Sequence, residues 1–169
     1  MANDRLQKWA LIAELIGAVA IIISLIFVGI QLRDNTRATR SANASEANAL
    51  TVSWYLELGN NPQTSSLFYR YLTDFDSLSQ EEKFQMVMKL HAVVLTFQNS
   101  FYLVDEGTLD DRIRDTITEA IVVVKDTPGW DYYWGNRRPL FFPKFQQYVD
   151  ELMEVEREVS QSIYMPAEK

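Results

Sequence analysis

The sequence predicts an all-α protein, an N-terminal transmembrane helix continuing into a soluble helical bundle. Three observations carry this. Residues Trp9 to Leu32, WALIAELIGAVAIIISLIFVGIQL, hold a single formal charge, Glu14. Beyond them, apolar residues recur at helical spacing and stop where helices stop. The one β-branched run, Val122 to Val124, follows Ile113 and Ile117 at helical spacing among charged neighbours. A lone strand there would leave its backbone groups without partners, so helix is the expectation.

The first element is the apolar span. At a rise of about 1.5 Å per residue, Leu15 to Ile30 with its ends covers the roughly 30 Å of membrane hydrocarbon. A cleaved signal peptide fits poorly: the run is too long, and the nearest Ala-x-Ala pattern, Ala42 to Ala44, lies beyond Arg33, Arg37 and Arg40. The expected division is a short tail at 1–8, a membrane helix at 9–32, a helical extension at 33–58, a helical soluble domain at 59–161 and a flexible tail at 162–169. Gly59 is the expected C-cap of the extension, and Gly59-Asn60-Asn61-Pro62 the turn after it.

A short helix then carries Leu67, Phe68, Tyr71 and Leu72. Ser79 with Glu82 has the capping-box form and opens a helix whose apolar positions are Phe84, Val87, Met88, Leu90, Val94, Leu95 and Phe101, ending at Gly107. Thr108 and Asp111 suggest a second box, leading into a helix that Thr127-Pro128-Gly129 stops. A last helix starts near Pro143 and buries Phe145, Tyr148, Val149 and Leu152.

Charge divides the chain. Residues 1–40 hold five basic and three acidic groups, a balance of +2, whereas the remainder holds eleven basic and twenty acidic, a balance of −9. Nucleic acid needs a basic footprint, which the acidic part lacks, so it is excluded as a partner. Arg5 and Lys8 precede the span and Arg33, Arg37 and Arg40 follow it, which favours the C-terminal side for the cytoplasm by one residue. Arg33, Arg37 and Arg40 share one helix face; they set orientation, and they are also candidates to meet lipid headgroup phosphates. The absence of cysteine removes disulfides, thiol catalysis, iron–sulfur clusters and thiolate zinc sites.

Within the span, Ala10, Ala13, Gly17, Ala20, Ser24, Phe27 and Gln31 follow a three-four spacing, and all but Phe27 are small or polar. Such a seam lets helix backbones approach, pointing to self-association or to docking on another membrane-protein subunit; chance occurrence in a Gly- and Ala-rich span is the plainer alternative. Glu14 lies about 7.5 Å of helix beyond Trp9, where it either snorkels to the headgroups or contacts a partner.

Chemistry is thinly represented. His91 is the only histidine, flanked by Leu90 and Val94 and without a nucleophile partner, and a satisfied imidazole is the simpler reading. Asp105-Glu106 and Asp110-Asp111 lack the ligand pattern of a calcium loop and are expected to cap and solvate a helix junction. Glu151, Glu154, Glu156 and Glu158 form a solvated face with Arg157. No glycine-rich phosphate loop is present, no cofactor is expected, and no catalytic residue is assigned. The aromatic block Pro128 to Phe145, PGWDYYWGNRRPLFFPKF, admits two readings: a packed helical junction, or a surface for a partner or membrane interface formed by Trp130, Trp134, Arg137 and Arg138.

The run Ile12 to Ala20, then Gln31-Leu32-Arg33 and Asn35-Thr36-Arg37, resembles an uncharacterised family of bacterial single-pass membrane proteins with an N-terminal anchor and a helical soluble domain. Asn99 with Phe101, Gly107 to Asp110, Pro128-Gly129-Trp130, Trp134, Arg137 and Phe145 to Leu152 resemble the soluble half of that family. The resemblance implies a bacterial inner-membrane protein and carries no catalytic residues over. The sequence as a whole points to a membrane-tethered helical interaction or scaffold protein. The alternative is an oligomeric, channel-like or ion-pathway regulatory assembly with Glu14, Ser24 and Gln31 on a shared axis, a reading that Phe27 on the same seam opposes.

Overall fold

The computed structural model describes residues 2–156, with side chains from Arg5 onward. It is all-α: six α-helices and two short 3-10 turns, with no strand among the described residues. The helices are α1 (Ala2–Asn60), α2 (Pro62–Thr73), α3 (Gln80–Asp105), α4 (Asp111–Val124), α5 (Pro128–Arg137) and α6 (Pro143–Met153). The expected tail at 162–169 and Glu158 lie outside the described residues.

Two compact units divide within α1, between Ser41 and Ala42. In the first, every side chain from Arg5 to Ser41 is exposed. Its apolar stretch reaches a mean hydropathy of 2.8 over eighteen residues, none of them buried, and is long and apolar enough to cross a membrane. The core helix of a water-soluble protein passes the same length test but hides its apolar side chains; this one hides none. The helix already runs from Ala2, through the stretch expected as a tail.

The second unit takes in the last turns of α1. Ala47 is buried there, and the Trp54 ring meets the Phe68 ring edge-on at 5.8 Å. Glu57 gathers three donors, Lys89 Nζ at 3.2 Å, Thr64 Oγ1 at 3.0 Å and Asn61 Nδ2 at 3.2 Å, which together hold its carboxyl below the usual carboxylate range. α2 packs on α3 and α5, α3 on α4, and α4 on α6. Tyr71, Met86, Val94, Ile121, Tyr133 and Phe145 are among the residues that fill the shared core.

Caps explain where the helices begin. Ser79 Oγ accepts from the Glu82 N–H at 3.2 Å while a Glu82 carboxylate oxygen accepts from the Ser79 N–H at 2.9 Å, the reciprocal box expected from sequence. Two expectations are corrected. Gly59 does not terminate α1, which runs on to Asn60, and the turn is made by Asn61, whose side chain accepts from the N–H groups of Gln63 and Thr64. Asp110, not Thr108, caps α4, accepting from the Arg112 N–H at 3.0 Å. Thr127 works on both sides of its junction: its N–H and Oγ1 donate to Val124 O at 3.1 and 2.7 Å where α4 ends, as the sequence predicts, and its Oγ1 also accepts from the Trp130 N–H and opens α5, with Pro128 in the first turn.

The end of α3 follows expectation. Gly107 takes φ +68°, its N–H donates to Val104 O at 2.9 Å, and the Thr108 N–H donates to Leu103 O at 2.8 Å. This is the Schellman arrangement, in which a left-handed glycine turns the chain back on the last carbonyls. Phe84 and Leu95, expected in the core, are exposed, Phe84 by 64%. Both fall on the apolar stripe by spacing but are left uncovered, so periodicity alone overcounted the buried face.

Candidate functional site

The residues of the small-residue seam lie on α1. Ala10, Ala13, Gly17, Ala20, Ser24 and Gln31 are all exposed, as is Glu14. A Cβ added at Gly17 meets no atom within 4 Å, so nothing in the chain itself requires glycine there. Arg33, Arg37 and Arg40 follow at i, i+4 and i+7, all exposed, with Arg33 Nε 3.9 Å from the Asp34 carboxylate. At that separation and exposure the pair contributes little to stability.

The two tryptophans of the aromatic block are packed, which corrects the surface reading for Trp130 and Trp134. Trp130 and Trp134 are 2% and 4% exposed, and their rings stack at 5.9 Å with an interplanar angle of 11°. Trp134 Nε1 donates to Asp150 Oδ1 at 3.0 Å. Arg138 clamps the same carboxylate through Nε at 3.1 Å and Nη2 at 2.6 Å. Arg138 and Trp134 hold the Asp150 carboxyl below its usual range, Arg138 making the larger contribution. This cluster ties α5 to α6; its cause is the large apolar area that indoles remove from water where short helices meet. Arg137 and Arg138 are both half-buried. The expected surface of Trp130, Trp134, Arg137 and Arg138 is therefore not assembled.

Other candidates also find structural work. The His91 Nδ1 shares a hydrogen bond at 3.1 Å with the Tyr133 hydroxyl, and its ring lies 5.2 Å from that of Phe141. Burial, and then the like charge of Arg137, lower its pKa. Burial pushes the Tyr133 hydroxyl well up, so it stays protonated. Lys144 Nζ donates to Asp105 at 3.0 Å and Asp110 caps α4; no group of three or more potential metal ligands comes together among the described residues.

Two concavities in the second unit were not legible in sequence. One is an apolar groove of about 380 Å³ between the last turns of α1 and helices α3 and α4, walled by Trp54, Tyr55, Val93, Phe97 and Ile117. The other is a polar cleft of about 510 Å³ between the start of α3 and the end of α5, lined by Lys83, Phe84, Tyr132 and Arg137. Each draws on helices far apart in sequence, so no spacing marks it; the only available signal was the surplus of aromatics and cations at those positions. Comparison with protein-family models, with curated proteins and with solved structures finds no match.

Proposed function

We propose that this chain is a single-pass bacterial inner-membrane protein, a tethered helical interaction or scaffold protein without a catalytic role, of the family it resembles in sequence. The observation that carries the reading is the complete exposure of the apolar stretch of α1 beside a unit that buries its own core. Exposed apolar area on that scale is stable in lipid and unfavourable in water. The surplus of Arg after the span favours the cytoplasm for the acidic unit. Arg33, Arg37 and Arg40 meet lipid headgroups, and the seam from Ala10 to Gln31 packs against a second copy or another membrane subunit.

The experiment is mass measurement of the chain in mild non-ionic detergent, with and without Gly17→Leu and Ala20→Leu together. A discrete oligomer or a defined partner complex that the double variant dissociates is the expected result. A monomer without a partner, or an assembly the double variant leaves unchanged, overturns the role of the seam. A reporter fused after Lys169 that shows periplasmic activity overturns the orientation.

A further inference from the structure

From Ala42 onward the chain carries twenty acidic and eleven basic residues, and nine of the basic ones lie among the described residues. Seven of those nine are in ion pairs with carboxylates. The two without a carboxylate partner among the described residues, Lys83 and Arg137, line the same cleft, the one of about 510 Å³ between α3 and α5. In a unit so rich in acid, two cations on the lining of one cavity give it a positive character that the rest of the unit lacks. Among the described residues, no acidic one lines it.

The rest of the lining suits a ligand with two halves. Lys83 Nζ lies 4.4 Å from the centre of the Phe75 ring, a contact that holds the ammonium without neutralising it. Gln80 and Asn136 bring side-chain amides, and the Asn136 Nδ2 donates to Tyr132 O at 2.7 Å, which fixes that amide. Phe84 and Tyr132 offer exposed ring faces on the rim, an unfavourable exposure that a planar apolar group would relieve.

We propose that this cleft binds a small phosphomonoester carrying a planar ring. Its phosphate sits between Lys83 and Arg137, and its ring lies against Phe84 and Tyr132. Two converging positive charges match a dianion, and the phosphate oxygens give the guanidinium and the amides more acceptors than a single carboxylate supplies.

The test is calorimetric titration of phenyl phosphate into the full chain in non-ionic detergent, with inorganic phosphate as the ringless probe. Saturable binding is expected, weakened at least about tenfold by Lys83→Gln or by Arg137→Gln. Lys144→Gln removes the same charge from a cation outside the cleft and changes affinity by less than about twofold. Phe84→Ala, at an exposed position that folding does not need, closes the gap between phenyl phosphate and inorganic phosphate. The proposal is overturned by no saturable binding up to about 10 mM. It is also overturned by equal weakening in Lys144→Gln. Displacement of phenyl phosphate by phosphatidic acid in the micelle makes the occupant a lipid headgroup and overturns the small-molecule assignment.

Discussion

A single hydrogen atom on Gly129 decides how closely α5 approaches α2. A Cβ built there falls 2.3 Å from the Tyr71 carbonyl oxygen and 2.4 Å from its ring, and Tyr71 is itself fully buried, so neither neighbour has room to yield. Gly129→Ala should therefore destabilise the second unit by about 3 kcal/mol or more, read as a lowered urea midpoint in tryptophan fluorescence. Gly135, two turns on in the same helix, has nothing within 4 Å of an added Cβ. There Gly135→Ala should stabilise by about 0.5–1 kcal/mol, since only backbone entropy changes. The sequence put both glycines in one aromatic block; only the packing of α5 on α2 tells them apart. His91 makes a pH prediction at the same scale. Its pKa is lowered by folding, so its contribution to stability is fully present above the ordinary value of 6.5 and is lost as pH falls through the folded value. The thermal midpoint should drop between pH 7.5 and pH 5 by more in the native chain than in His91→Gln. The carboxylates held low by partners, Asp150 and Glu82, lose their contributions only below their ordinary values of 3.8 and 4.5, outside that window.

At the scale of elements, local chemistry was the legible part. Ser79 with Glu82 announces α3 because both halves of the box lie within four residues, and Gly107 announces its end because a left-handed turn is costly for any other residue. Ser79→Ala should cost about 1 kcal/mol, and Asn61→Ala about the same, each measured by equilibrium unfolding. Asn61 was read as part of a turn and not as a cap, since Gly59 two residues earlier offered the stronger stop signal. The α5 start was hidden for a similar reason: Thr127-Pro128-Gly129 ends one helix and opens the next, and both uses share one composition. Which face of α3 is wet was not legible either. Phe84 falls on the apolar stripe by spacing, yet the helices that cover that stripe reach Val87 and Met86 and leave Phe84 exposed, a fact fixed by contacts more than forty residues away.

At the scale of the whole chain, the boundary between Ser41 and Ala42 falls inside a continuous helix, where no Pro, Gly or linker composition marks it. The division follows from burial: the core begins at Ala47, and every side chain from Arg5 to Ala42 is exposed. The buried core residues of the second unit all lie at or after Ala47. A chain beginning at Ala42 loses none of the core and keeps a net charge of −9, which opposes association. It should stay in the soluble fraction without detergent, sediment as a monomer, and unfold within a few degrees of the full chain measured in detergent. Fraying is expected at its new first turn, where the freed N–H groups of α1 lose their partners, and a small loss of helical signal in circular dichroism would record it. If the fragment instead dimerises, Leu50, Val52 and Leu56, which stay exposed on the last turns of α1, are the contact to examine, and Val52→Ser should then restore the monomer. Insolubility, or loss of the cooperative transition, would show that the second unit depends on residues before Ala42 in a way that burial does not reveal.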